Sequence, residues 1–238
     1  MAATTDRGIF LWKTRYGDSG FVVRAYTLNH GMTTFLIQGL KGKKRSRAAL
    51  LYPLAELEIE FSSTVKSEMK RIKEVHALHP GQSLRHDLSK SAQAFFIAEM
   101  LYRTLNEREA DHALYTFLNT SIEWLDHHPD TSNFHLAFLV KLTRFLGFHP
   151  QGEPSARTFF DLREGLFTTL RPSHTDYVEP FVSVLLGVLL EKGFQTGKEN
   201  LHREDRQHLL ETLLLYYRIH LDGLGAIKSL DVLTEMFR

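Results

Sequence analysis

Apolar and polar residues alternate with a period of two over the first third of the chain, and beyond about residue 80 the period lengthens towards that of a helix. The cleanest alternation is Glu56-Leu57-Glu58-Ile59-Glu60-Phe61, which sets three apolar side chains on one face and three carboxylates on the other. With the β-branched and aromatic residues around it, this pattern predicts strands over residues 8–15, 20–27, 32–39, 51–61 and 68–78. Gly17-Asp18-Ser19-Gly20 and Asn29-His30-Gly31 carry the residues that tight turns favour.

After residue 80 the stripes are helical. Leu114, Phe117, Leu118, Ile122 and Leu125 share one face; Phe134, Phe138, Leu142 and Phe145 form a second stripe; Leu209, Leu210, Leu213, Leu214 and Tyr217 form another. Between them, Phe181, Val184, Leu185, Val188 and Leu189 face Val182, Leu186 and Leu190, so this helix is apolar nearly all round and is expected at the centre of its domain. Pro150, Gly152, Pro154 and Pro172 interrupt the pattern over residues 147–175, leaving room for a small hairpin around Glu164-Gly165. Leu230, Leu233, Met236 and Phe237 read as a docked terminal helix. The fold class is therefore multidomain α+β: an N-terminal five-stranded barrel over residues 1–80, for which the OB-fold is the commonest form, followed by a mostly α-helical domain over residues 81–238.

A net charge of +1 changes meaning when it is divided. Residues 1–80 hold 13 Lys and Arg against 7 Asp and Glu, and residues 81–238 hold 16 against 21. A basic first part suggests an anionic partner. Lys41, Lys43, Lys44, Arg45 and Arg47 crowd five cations into seven residues between the third and fourth predicted strands, which suits contact with a phosphate backbone. Arg15, Arg24, Lys70 and Arg71, with Lys13, Lys66 and Lys73, extend this patch. Tyr16, Tyr26 and Phe35 would offer faces for stacking unpaired bases wherever they point outward. The competing reading of the same run is a solvated connection with those aromatics in the core.

The absence of cysteine excludes disulfides, thiolate metal sites and a cysteine nucleophile. Asp126-His127-His128, and His202 with His208, approach metal-ligand spacing, but neither pair falls at i, i+4 on one helix face, so no metal and no cofactor is assigned. Glycine spacings match no nucleotide-binding loop, and no nucleophile elbow occurs, so no catalytic residue is assigned and no enzyme is expected. The longest apolar run, residues 181–190, contains Ser183 and Gly187 and is too short to cross a bilayer; no signal-peptide stretch opens the chain, and a cytoplasmic protein is expected.

The ordered set Gly8-Ile9-Phe10-Leu11, Tyr16-Gly17-Asp18-Ser19, His30-Gly31, Gly39 with its basic run, and Leu51-Tyr52-Pro53-Leu54 resembles the RecO family of bacterial recombination mediators. The resemblance continues through Leu146-Gly147-Phe148 and Pro150 to Lys228-Ser229-Leu230. It implies an OB-fold and a helical domain, binding of single- and double-stranded DNA, and annealing of complementary strands. It also implies partnership with RecR and with the C-terminal tail of single-stranded-DNA-binding protein, and indirectly with RecA. For that acidic tail, Lys141 and Arg144 beside Phe138 are the candidate contacts. Relatives of this kind hold a four-cysteine zinc site in the region corresponding to 150–175; here Phe159-Phe160-Asp161-Leu162 and Leu166-Phe167 are expected to pack in its place. An OB-fold factor that binds RNA is the alternative on the residues alone.

Overall fold

The computed structural model describes residues 3–17, 20–38, 49–62, 69–79, 81–105, 109–197 and 200–237. The chain forms two compact units, Met1–His127 and His128–Arg238.

In the first unit, strands β1 (Ala3–Tyr16), β2 (Gly20–Thr27), β3 (Gly31–Ile37), β4 (Glu56–Ser62) and β5 (Lys70–Ala77) close into a barrel in the order β1-β2-β3-β5-β4. Neighbours are antiparallel except β3 and β5, the connectivity of a five-stranded OB-fold. The alternation in β4 is realised as read: Leu57, Ile59 and Phe61 are buried and join Phe10, Val23, Ala25, Phe35, Ile37 and Val75 inside the barrel. β1 is buried on both faces from Ile9 to Leu11, because a helix lies against its outer side.

Two strand starts differ from expectation by five residues. β1 begins at Ala3, five residues earlier, where it pairs with Ser62 of β4. β4 begins at Glu56 rather than 51, because Leu54 takes a left-handed φ of 63° and the chain turns there. The turn is held by Leu54 N donating to Phe10 O and Phe10 N to Ala55 O, both at 2.9 Å.

The turn between β2 and β3 is fixed by one buried carboxylate. Asp6 accepts from Asn29 N (3.2 Å) and Asn29 Nδ2 (2.8 Å) and meets His30 Nδ1 at 2.6 Å. Gly31 then turns the chain at φ 64°, a conformation that side chains with a Cβ resist.

Among the described residues, this unit also contains the helices α1 (Gln82–His86), α2 (Leu88–Thr104) and α3 (His112–His127). Asp87 caps α2 by accepting from Ser89 N and Lys90 N. Tyr26 Oη donates to Glu109 O (3.2 Å) and accepts from Asp111 N (3.0 Å), and Tyr115 Oη donates to Glu56 Oε1 (3.1 Å), so the helical segment is tied to the outer side of β2 and β4. Beside Glu56, burial and the carboxylate push the Tyr115 phenol well above its ordinary range.

The second unit contains α4 (Phe134–Leu146), a small three-stranded sheet, α5 (Pro180–Lys192), α6 (Arg203–His220) and α7 (Leu230–Met236). The expected central helix is not the one found. Phe181 is 61% exposed and Val184 38% exposed on α5, whereas α4 buries every residue from Phe134 to Val140. The apolar circumference of α5 thus exceeds what its neighbours cover.

The interrupted segment does form a hairpin, β6 (Phe159–Asp161) with β7 (Leu166–Thr168), and β8 (Tyr177–Val178) pairs on the other edge of β6. Asp161 Oδ1 accepts from Arg163 N and Glu164 N to set the turn, and Oδ2 meets His174 Nε2 at 3.1 Å. Gly165 turns at φ 65°, and a Cβ there would stand 2.5 Å from Tyr216 Oη. Phe160 packs against Phe167 and Tyr216, with ring centres 4.7 and 5.3 Å apart, and Leu162 is fully buried beside them. Phe159 is only half-buried and Leu166 is exposed, so part of the expected apolar set forms this core. A four-thiolate zinc site does not fit these residues, since the chain has no cysteine. No helix among the described residues is long and apolar enough to cross a membrane.

Candidate nucleic-acid interface

Barrel register determines which cations can act together. Arg15 pairs with Phe21 and Phe21 with Ile37, which closes β3; Phe35 and Leu36 pair with Lys70 and Arg71 at the start of β5. Lys70 and Arg71 therefore stand on β5 beside the last residues of β3, from which the chain continues to the cationic run, and Arg15 stands two strands away across β2. That run itself, Lys41, Lys43, Lys44, Arg45 and Arg47, lies outside the described residues, as does Lys66.

These three cations are not equivalent. Arg15 and Arg71 are exposed, and neither has an ion pair among the described residues. Lys70 is half-buried with Nζ 4.8 Å from the centre of the Phe61 ring. Burial lowers its pKa, and the Asp6 carboxylate acts in the opposite direction. Lys70 thus both packs the barrel end and adds charge there.

Other cations have packing roles. Lys13 Nζ donates to Leu51 O at 2.8 Å, and burial lowers its pKa. Lys73 lies 3.9 Å from Glu60 on the mixed-charge outer face where Arg7 stands opposite Glu58. Arg24 pairs with Thr34 in mid-strand, away from the barrel end, and its guanidinium lies 5.6 Å from the Tyr102 ring centre.

The aromatic residues divide in the same way. Tyr16 is 48% exposed at the barrel end beside Arg15. Tyr26 and Phe35 are fully buried: the first anchors residues 109–111 and the second meets Phe61 edge-on at 5.3 Å. They are core residues, not stacking platforms: Phe35 alternates into the barrel, and Tyr26, on the opposite face of β2 from Ala25, is covered by residues 109–111. The surface rings that the sequence reading missed are Trp12 and Phe95. Trp12 stacks on Tyr102 at 5.7 Å, and with Phe95 it lines an apolar cleft shared with Lys13, Leu51 and Tyr52. The β1 bulge between Phe10 and Trp12 turns Trp12 outward, and no period-two pattern signals a bulge.

In the second unit, Phe138 is a buried core residue and is not on the surface. Lys141 Nζ lies 5.3 Å from the Phe194 ring centre, and Arg144 Nε donates to His149 Nε2 at 3.2 Å. Of the three, Arg144 alone is exposed.

The class that the fold defines is a closed five-stranded OB-fold barrel followed by a helical unit. The sequence is more specific. Residues 1–80 match the family model described as Recombination protein O N terminal, and residues 85–231 the model described as Recombination protein O C terminal. Curated relatives named "DNA repair protein RecO" match nearly end to end. That of Flavobacterium johnsoniae is 33% identical over 233 residues, covering 97% of this chain and 98% of the relative. Those of Flavobacterium psychrophilum and Bacteroides fragilis are 35% and 36% identical over 235 residues, each with 97% of this chain and at least 97% of the relative covered. The chain belongs to the RecO family.

Proposed function

We propose that the protein is a DNA-binding recombination mediator in DNA repair, which holds single- and double-stranded DNA at the open end of its barrel and anneals complementary strands. It helps a RecA-type recombinase onto DNA coated with single-stranded-DNA-binding protein, in partnership with RecR and with the acidic tail of that coating protein. Membership of the RecO family supports this assignment. The single observation that carries the DNA site is the register that sets Lys70 and Arg71 beside the last residues of β3, with exposed Arg15 two strands away, where the chain leads on to Lys41, Lys43, Lys44, Arg45 and Arg47.

The chemistry asked of this site is electrostatic and makes or breaks no bond. Cations spread along two strands screen the phosphate repulsion that opposes pairing, and each phosphate neutralised releases counterions. Tyr16 can stack on a base without reading its identity. Arg144 is the remaining exposed candidate for an acidic tail. The domains act as residues 1–80 for DNA and 81–238 for partners.

The test is the annealing rate of two complementary labelled strands, followed by energy transfer across a salt series. The protein should accelerate annealing at low salt and lose that effect as salt rises. Tight DNA binding without acceleration would remove annealing from the assignment, and absence of DNA binding would overturn the whole of it.

A further inference from the structure

We propose that His79, Asp126 and His127 form a binding site for a borderline transition-metal cation of the Zn2+ class. One ligand atom from each residue lies within 4.8 Å of the others. All three belong to the first unit, with His79 two residues beyond β5 and the other two at the end of α3. Tetrahedral zinc ligands stand about 3.3 Å apart when each bond is about 2.0–2.1 Å, so side-chain rotations moving each atom by about an ångström close the set.

The surroundings already orient His127 and Asp126 as ligands. His127 Nδ1 lies 2.8 Å from Glu123 O, a backbone acceptor, so Nδ1 carries the proton and Nε2 presents its lone pair. Asp126 Oδ1 accepts from Leu84 N at 3.0 Å, which fixes the carboxylate and leaves Oδ2 for a single bond to a metal. His79 Nδ1 accepts from Gly81 N at 3.2 Å and stands 3.7 Å from Asp126 Oδ2. A metal bound at Nδ1 would displace the Gly81 N–H from that lone pair, and the 3.7 Å separation is already close to the span of two ligands on one zinc ion. The His79 and His127 rings meet edge-on at 5.4 Å, and His127 is exposed, which leaves solvent access for a fourth ligand.

The cation class follows from the donors and from Lys90. Two imidazoles and one carboxylate favour Zn2+, Co2+ or Ni2+ over Mg2+ and Ca2+, which prefer oxygen. Lys90 Nζ donates to Asp126 O at 2.8 Å, so an ammonium already offsets the carboxylate's field. That disfavours a cation held by charge alone and leaves one held by directed nitrogen bonds. A metal here would join the chain after β5 to the end of α3 and so close the helices onto the barrel within this unit.

The experiment is thermal denaturation of the full-length protein at pH 7.5 with Zn2+ or Mg2+ as the probe. Zn2+ at a hundredfold excess over its dissociation constant should raise the melting temperature by roughly 5–10 °C, and Mg2+ should leave it unchanged. His127→Ala, at an exposed position, should fold and lose the Zn2+ shift, as should His79→Ala; His208→Ala, exposed in the other unit, should keep it. An equal Zn2+ shift in His127→Ala, no shift in the wild type, or an equal shift with Mg2+ would each overturn the site.

Discussion

In the barrel unit Arg15 and Arg71 stand in solvent at strand ends, whereas in the helical unit Lys141 lies against the Phe194 ring and His135 is sealed in the core. The first pair has no packing role, so its charge is available to a polyanion without disturbing the fold. The second pair is committed to packing, so changing it disturbs the fold and leaves any ligand unaffected. A basic residue in a sequence is thus a candidate contact only where register or exposure frees it.

The strongest challenge to that contrast is removal of the run's central charges. With Lys43, Lys44 and Arg45 changed together to Ala, loss of three phosphate contacts should weaken single-stranded DNA binding about a hundredfold at 0.1 M salt. An unaltered melting temperature would separate this effect from unfolding.

The helical unit should answer to acid instead. Burial, and secondarily the Arg206 guanidinium, push the His135 imidazole down to about 3. Its pKa in the unfolded chain is about 6.5, so the unfolded state takes up the proton first. Stability is then complete above about pH 6.5 and falls with decreasing pH at up to about 1.4 kcal/mol per unit towards pH 3. Denaturant melts between pH 7 and 5 should show this slope, and His135→Gln should flatten it.

Smaller effects sharpen the distinction among the barrel cations. Arg15→Ala and Arg71→Ala should each lower DNA affinity about fivefold at 0.1 M salt, since one contact shifts the salt slope by about 0.7. Their melting temperatures should not move. Arg24→Ala is expected to do the opposite: DNA affinity unchanged, with about 0.5–1 kcal/mol of stability lost with its contact to Tyr102. A fivefold affinity loss in Arg24→Ala would break the rule that register separates the two groups.

Much of the barrel was legible because period-two alternation in β4 and the turn residues around Gly31 act locally. The start of β4 was misplaced because Leu54 in a left-handed turn carries no composition signal. Tyr26 and Phe35 could be read as surface or core, since alternation fixes opposite faces without saying which side a neighbour covers. α5 was misjudged for the same reason: an apolar circumference says what a helix could bury, and Phe181 shows that its neighbours do not bury all of it. Of the DNA site, the residue types were visible, but grouping Arg15 with Lys70 and Arg71 and setting Arg24 apart depends on strand pairings across more than thirty residues. The His79 cluster was hidden further, because Asp126 and His127 find their third member 47 residues earlier, and not in the adjacent His128.

Fluorescence anisotropy of labelled single-stranded DNA across 50 to 200 mM salt tests the central claim most directly. Contact with five phosphates should give a log-log slope of about −3.5 and a roughly hundredfold loss of affinity over that range, with the slope falling to about −1.4 in the variant lacking Lys43, Lys44 and Arg45. A flat response in the wild type, or the same slope in that variant, would contradict a DNA site built on the cationic end of the barrel.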